Sequence, residues 1–145
     1  MTEKIYVLLP VHNRRETTLR FIGCLRAQTY SNYHLILIDD GSTDGTAAMV
    51  LESIPGATVI AGAGAWWWAG SLQQGIDWLH GIAPRDTDIV LLINDDTTFA
   101  PDYIERAVRF LDGKNGCMLL SRLRDPRTGK VEESGVNADL RAMSF

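Results

Sequence analysis

The sequence predicts an α/β fold in which a mainly parallel sheet is covered by helices on both faces. Three observations favour this class. Short apolar runs rich in β-branched residues recur along the chain, helical periodicity separates them, and polar residues follow the runs directly. Runs that are apolar throughout are typical of strands buried on both faces of a parallel sheet. Alternating strands and helices are joined by right-handed crossovers that place helices on the sheet.

Each element follows from its local pattern. The predicted strands are residues 5–9, 35–38, 58–61, 89–93 and 117–120. Between them, apolar residues recur at the three- and four-residue spacing of one helix face. The residues that mark this spacing in three helices are Leu19, Ile22 and Leu25, then Leu72, Ile76 and Leu79, then Ile104, Ala107, Val108 and Leu111. We expect Pro101 to open the last helix and Asp44 to cap a further helix that begins near Thr46.

Length and composition restrict the class of protein. A chain of 145 residues fits one domain, residues 1–145, and its net charge of -4 argues against a nucleic-acid partner. The apolar runs are too short for a transmembrane segment, which needs ~20 residues. Cys24 and Cys117 are expected to be buried thiols in a reducing compartment, so a cytoplasmic location is expected. We expect residues 122–145 to form a charged, hairpin-like tail, with the hairpin running into Val131 to Ser134.

Two acidic pairs follow predicted strands. In parallel sheets, ligands bind beyond the carboxyl ends of the strands, where Asp39-Asp40 and Asp95-Asp96 stand. Converging carboxylates repel one another unless a cation compensates them, and Mg²⁺ or Mn²⁺ is usually held by one or two carboxylates together with substrate phosphates. Alternatively, the acidic residues of each pair stabilise turns and cap helices.

Other strand-end residues favour no further motif. The loop from Asp40 begins like a calcium loop, but its twelfth position is Leu51 where a glutamate is required. The three consecutive tryptophans, residues 66–68, cannot all face one core, so some of them, with Trp66 and Trp67 as candidates, could present an apolar wall to a sugar or nucleobase. His12 shows no orienting partner in the sequence and is interpreted as a polar contact or a bystander.

Four segments taken in order resemble a known family. They are Val7 to Arg14, Gln28 to Tyr30, Ile38 to Thr46 and Leu91 to Thr97. Together they resemble the donor-binding half of family-2 glycosyltransferases, which have the GT-A fold, a Rossmann-like three-layer sandwich. Trp67 to Gly70 is similar to the subset that includes rhamnosyl and other bacterial polysaccharide transferases.

The resemblance implies roles for particular residues. The donor nucleotide would contact Pro10, Val11, Asn13, Asp40, Gln73, Asn94 and Asp95. Asp40 would meet the base or ribose, and Asn94 to Asp96 would stand at the family's DxD motif. Asp95 would lie near the ribose and the metal, and Asp96 would bind Mg²⁺ or Mn²⁺ directly. The catalytic base would lie in an acceptor-side segment beyond Phe145, so the chain is expected to be truncated before that half, and the tail of residues 122–145 is expected to lead toward the missing acceptor half.

The implied activity is transfer of a sugar, with inversion, from a nucleotide-diphosphate sugar to a glycan or lipid-linked acceptor. A non-catalytic nucleotide-sugar or carbohydrate-binding module is the first alternative, and a nucleotidyltransferase is the second. Against the second, the first strand leads into Pro10 to Asn13 instead of a glycine-rich triphosphate loop. A homo-oligomer or a complementing chain would supply the missing half. For the location, peripheral attachment at the inner membrane face stays open beside the cytoplasm.

Overall fold

Four of the predicted strands form one parallel sheet in the computed structural model, which describes residues 3–114 and 116–133. The strands are β1 (Ile5–Val11), β2 (Tyr33–Asp39), β3 (Thr58–Ala61) and β4 (Ile89–Leu92). Their order across the sheet is β3-β2-β1-β4, and every neighbouring pair is parallel. The α/β class predicted from the apolar runs is therefore confirmed, and the chain reverses its direction of travel across the sheet beside β1.

The helices lie on both faces of this sheet. They are α1 (Arg15–Arg26), α2 (Thr46–Ser53), α3 (Trp67–Ile82) and α4 (Tyr103–Leu111). Buried residues of α1, α2 and α4 join one hydrophobic cluster, whereas those of α3 join the other. The result is the three-layer arrangement that the sequence predicts.

The alternation of side chains along β1 explains why two clusters form. Ile5, Val7 and Leu9 point into the first cluster, and Tyr6 and Leu8 point into the second. Both sets are almost completely buried, which is why the run is apolar at every position. β1 is paired on both sides, with β2 and β4, and therefore occupies the middle of the core.

Some expectations about individual residues are wrong. Leu19 is 46% exposed, because the face that α1 presents to the sheet is formed by Thr18, Phe21, Ile22 and Leu25. Pro101 precedes α4 by two residues, and Asp102 stands at the helix N-cap. Cys24 is half-buried and Cys117 is exposed, so the second thiol is not a core residue.

The fifth predicted strand is also wrong. Residues 117–120 have no strand conformation, and Met118 is 99% exposed. An apolar run becomes a strand only where a neighbouring strand satisfies its backbone groups, and no pairing of this run occurs among the described residues.

By its internal contacts the chain divides into two units, Met1–Asn115 and Gly116–Phe145. The second unit contains the predicted hairpin, in which β5 (Leu123–Arg124) pairs antiparallel with β6 (Val131–Glu133). The remainder of the predicted tail, residues 134–145, lies outside the described residues. No described helix is long and apolar enough to cross a membrane.

Candidate functional site

The candidate site is a cleft of about 360 Å³ beside the carboxyl end of β1. Loops that follow β1, β2 and β3 contribute to it, together with the first turns of α3. A crevice at the carboxyl ends of strands, where the chain reverses its direction across the sheet, is the usual ligand site of such folds. The cleft is lined by Pro10, Val11, His12, Arg14, Asp40, Gly64, Trp67, Trp68 and Ser71.

Asp40 organises the loop that carries the tryptophans. Its Oδ1 accepts backbone N–H groups from Gly64 at 2.8 Å and Ala65 at 3.2 Å. Its Oδ2 accepts those of Trp66 at 2.7 Å and Trp67 at 3.0 Å. Burial by itself would raise the pKa of Asp40, but these four hydrogen bonds outweigh it and hold the pKa below the ordinary value. Asp40 is therefore an anion held by the main chain.

Two glycines allow this close approach. A Cβ on Gly62 would lie 2.6 Å from Oδ1 of Asp40 and 2.7 Å from the ring of Trp66. Gly41 has a φ of +78°, and a Cβ there would lie 2.8 Å from the backbone nitrogen of Gly64. Larger residues at either position would separate the loop after β2 from the loop after β3.

His12 has a partner that the sequence does not reveal. Its Nδ1 lies 2.6 Å from the carbonyl oxygen of Asp40, which can only accept, so Nδ1 carries a proton. The Asn13 Oδ1 accepts the backbone N–H of Thr43 at 2.8 Å, which turns the Asn13 amide group toward His12 Nε2 at 3.1 Å. Nε2 therefore accepts from the Asn13 amide, and this network assigns the tautomer of His12 in which Nδ1 carries the proton.

The remaining acids of the β2 loop serve turns and helix starts. Asp39 is buried and its Oδ1 accepts the backbone N–H of Ser42 at 2.9 Å. Asp44 accepts the backbone N–H groups of Thr46 at 3.0 Å and Arg15 at 2.9 Å, so it caps α2 as predicted and also the start of α1. The hydroxyl of Thr46, which donates to Asp44, lowers the pKa of Asp44 most, and the Arg15 N–H lowers it further.

The acidic pair after β4 converges on an arginine. Arg14 Nε lies 3.3 Å from Asp95 Oδ1, and Arg14 Nη2 lies 3.1 Å from Asp96 Oδ2. Asp95 is 3% exposed, and its other oxygen accepts the hydroxyl of Thr18 at 2.9 Å. Burial raises the pKa of Asp95, the Thr18 hydrogen bond and Arg14 lower it, and Asp96 raises it again, with a net increase. Asp96 is about half exposed.

These two carboxylates fit a divalent cation that is shared with a ligand. Among the described residues, no group of three or more His, Cys, Asp or Glu side chains is arranged to hold a metal. Asp95 and Asp96 nevertheless already converge on one positive charge, that of Arg14, and carboxylate oxygens suit Mg²⁺ and Mn²⁺. Phosphate oxygens would have to complete such a coordination shell.

The three tryptophans have different surroundings: Trp67 and Trp68 line the cleft, whereas a wall role for Trp66 stays a prediction. Trp66 is half-buried and packs against the cluster beneath α3. Trp67 is 83% exposed, lines the cleft and has a φ of +56°, a left-handed conformation in which its backbone N–H reaches Asp40. Trp68 also lines the cleft, and its Nε1 donates to Asn94 Oδ1 at 2.8 Å.

The structure brings together only part of the predicted contact set. Pro10, Val11 and Asp40 line the cleft, as Trp67 does. Asn13 borders a neighbouring depression instead, and Asn94 is bonded to Trp68. Gln73 does not line this cleft: it is exposed on α3 and its Nε2 donates to Asp77 at 2.8 Å, so its donor contact stays a prediction.

Sequence reasoning did not assign Arg14, Thr18, Trp68 or Ser71 to the site. Ser71 follows Trp67 by four residues and Trp68 by three, the spacing of one helix face, so periodicity could have grouped these three. Arg14 and Thr18 are also four residues apart, at the start of α1. No sequence signal connects Arg14 or Thr18 with the acids that follow β4, because a hydrogen bond such as Thr18–Asp95 spans 77 residues.

Comparison with known proteins decides the family. The model of glycosyl transferase family 2 matches residues 6–134. The chain belongs to glycosyl transferase family 2. Polyprenol monophosphomannose synthase of Mycolicibacterium smegmatis is 28% identical to this family member over 120 residues, which are 77% of this chain and 42% of the synthase.

Solved structures show the same fold. The mannosyltransferase PcManGT from Pyrobaculum calidifontis, in complex with GDP-Man and Mn²⁺, matches 88% of the chain with a TM-score of 0.71 and 22% identity. S. aureus TarS 1–349, in complex with UDP-GlcNAc, matches 75% of it with a TM-score of 0.63 and 18% identity. The matches cover 37% of PcManGT and 31% of that TarS chain, so this family 2 chain spans less than half of these relatives.

Proposed function

We propose that the chain is the donor-binding part of an inverting, metal-dependent glycosyltransferase that transfers a sugar from a nucleotide-diphosphate sugar to a glycan or lipid-linked acceptor. The observation that carries the proposal is that one residue, Arg14, lines the cleft and also contacts both Asp95 and Asp96. A nucleotide in the cleft would thus have its phosphates near the acidic pair. The GDP-Man and Mn²⁺ in PcManGT and the UDP-GlcNAc in TarS support this class of donor.

Each part of the cleft has a proposed role. The exposed ring of Trp67 offers a flat apolar face to a base or sugar, and Pro10 and Val11 add apolar surface to the same cleft. Asp40 holds the Trp67 loop and borders the nucleoside. Asp95 and Asp96 would hold Mg²⁺ or Mn²⁺, which as a Lewis acid stabilises the charge that develops on a departing diphosphate. None of the described residues is proposed as the base that takes the acceptor proton.

Calorimetric titration of UDP, GDP and dTDP sugars, with and without Mn²⁺, tests the proposal. We expect one of these donors to bind with Mn²⁺ and to bind at least about tenfold more weakly without it, because a charged diphosphate facing two carboxylates needs a compensating cation. The Asp96→Ala variant should lose this dependence on Mn²⁺. Asp86→Ala, which removes the same charge from another exposed position, should behave as the parent.

Two results would contradict the proposal. Absence of Mn²⁺-dependent binding for all three donors would overturn donor binding, and unchanged Mn²⁺ dependence in the Asp96→Ala protein would overturn the metal assignment. Donor hydrolysis or transfer by the chain separates an enzyme from a binding module, since a module binds the donor and leaves it intact.

A further inference from the structure

The position of Arg14 is fixed by the backbone of α1 as well as by its ion pairs. It stands at the N-cap of α1, where its carbonyl oxygen accepts the N–H of Thr18 at 2.8 Å. The side chain of Thr18 in turn donates to Asp95 at 2.9 Å. The first turn of α1 therefore fixes both the origin of the Arg14 side chain and the buried carboxylate that it meets.

The guanidinium uses two of its nitrogens to join the acidic pair. Nε faces the buried Asp95 at 3.3 Å, and Nη2 faces the exposed Asp96 at 3.1 Å. A planar fork suits such a double contact better than the point charge of a lysine. Arg14 therefore already places one positive charge against both carboxyl groups, where a cation held by the pair would lie.

Arg14 can also contact a ligand in the cleft. Its side chain is 44% exposed and lines the cleft proposed for the donor. Guanidinium groups bind phosphate oxygens through the same two-pronged geometry that they use for carboxylates. A diphosphate in the cleft would compete with Asp95 and Asp96 for this side chain.

We propose that Arg14 is a built-in counter-ion that occupies the cation position between Asp95 and Asp96 and leaves it for the donor's diphosphate, so that metal loading is coupled to nucleotide binding. The inference rests on the proposed donor-binding function and adds that nucleotide binding makes the two carboxylates available to the metal. Without a nucleotide, Arg14 competes with a divalent cation for the two carboxylates. With a nucleotide, Arg14 contacts phosphate and the carboxylates are free. Because coupling is reciprocal, the metal must also tighten nucleotide binding.

Mn²⁺ binding to the full chain, followed by the EPR signal of free Mn²⁺, tests Arg14 without any activity measurement. We expect Arg14→Met to bind Mn²⁺ in the absence of nucleotide about tenfold more tightly than the parent, within the usual range of coupling factors. Addition of GDP or UDP should then increase the Mn²⁺ affinity of the parent by a larger factor than that of Arg14→Met. Arg14→Lys, which keeps the charge but not the fork, should lie between them.

The matched control is Arg15→Met, which removes the same charge from the adjacent residue; Arg15 does not line the cleft, and its backbone N–H donates to Asp44 at the start of α1. It should bind Mn²⁺ as the parent does. If Arg14→Met binds Mn²⁺ no more tightly than the parent or Arg15→Met, the counter-ion role is overturned, while Asp96-dependent donor binding still stands. If the parent binds no Mn²⁺ even with GDP or UDP, the donor-binding function and this inference fail together.

Two pairs of affinity measurements on the parent cover the case in which Arg14→Met does not fold. The affinity of GDP or UDP is measured with and without Mn²⁺, and the affinity of Mn²⁺ with and without the nucleotide. Equal affinities in the presence and absence of the other ligand overturn the proposed coupling. The proposed coupling is supported if each ligand increases the affinity of the other by the same factor above one, and if this factor is smaller in Arg14→Lys.

Discussion

Asp40 and Asp95 are both buried acids that follow strands, but their surroundings act on their charges in opposite directions. Burial raises the pKa of each. Four backbone N–H groups reverse this at Asp40, whereas one hydroxyl and the arginine do not reverse it at Asp95, where Asp96 adds repulsion. Asp40 is consequently a stable anion that shapes the loop. At Asp95 burial prevails and the pKa is raised, so a further cation nearby would favour the ionised carboxylate, as the proposed metal-binding role requires.

We expect Asp40→Asn to lower the urea midpoint of unfolding at pH 7, because an amide NH₂ would face two backbone N–H donors. The lowered folded pKa means that ionised Asp40 stabilises the fold above its ordinary value of 3.8, and that this stabilisation is lost as the pH falls through the folded pKa. The difference between parent and variant should thus be largest near neutrality and shrink toward pH 3. A midpoint no lower than that of Asp86→Asn, an exposed control, would contradict it.

Trp67 allows binding and stability to be separated. Its ring is exposed, while its backbone is left-handed, a conformation that glycine adopts without strain. Trp67→Ala and Trp67→Gly should both weaken donor binding by calorimetry, because both remove the ring. Trp67→Gly should be more stable than Trp67→Ala by about 1 kcal/mol in urea unfolding, since only glycine relieves the strain. Unchanged donor affinity in both variants would remove Trp67 from the site.

The position of α3 depends on one close contact with the sheet. A Cβ on Gly75 would lie 2.7 Å from Leu8 Cδ2 and 3.0 Å from Ile38 Cδ1, both within the cluster beneath this helix. The absence of a side chain lets α3 lie close to β1 and β2. The same helix carries Trp67, Trp68 and Ser71 to the cleft, so a shift of α3 away from the sheet would also move these three residues.

Gly75→Ala and Gly81→Ala form a matched pair on α3. At Gly81 nothing lies within 4 Å of the added Cβ, so alanine should raise the free energy of unfolding by up to about 1 kcal/mol through helix propensity. At Gly75 the same propensity is outweighed by overpacking, and we expect a loss of about 1–2 kcal/mol. Urea unfolding measures both. Equal changes in the free energy of unfolding for the two variants would show that the close packing of α3 on the sheet at Gly75 is not required for stability.

The first unit of the chain contains both hydrophobic clusters and every residue of the candidate site. The cluster members run from Ile5 to Val108, and the cleft and acidic pair lie between Pro10 and Asp96. The sheet, its helices and the cleft are thus formed from residues that precede the hairpin of β5 and β6.

A chain shortened to residues 1–115 should therefore unfold cooperatively, with a Tm within about 5 °C of the parent, a change that corresponds to roughly 1 kcal/mol. Donor binding by calorimetry should be retained, because Arg14, Asp40 and Asp96 all belong to this unit. Loss of a cooperative transition, followed by circular dichroism, would show that the second unit is required for the fold.

Local pattern predicts most of the fold and the region of the site. Continuous apolar runs identify β1 to β4, because a strand buried on both faces is apolar at successive positions. The run at residues 117–120 has the same composition but is not a strand, since pairing depends on a partner that composition does not specify. The strand-end rule likewise finds Asp40 and Asp96 but not the orientation of their side chains.

The sequence by itself determined the α/β class, the order of its strands and helices, and the positions at which polar residues follow the strands, because these depend on neighbours a few residues apart. Only the tertiary structure decided which groups meet. Asp40 accepts N–H groups 24 to 27 residues away, and Asp96 meets Arg14, 82 residues away. Hydrogen bonds and ion pairs act over a few ångströms between atoms that packing brings together, so spacing along the chain does not specify them.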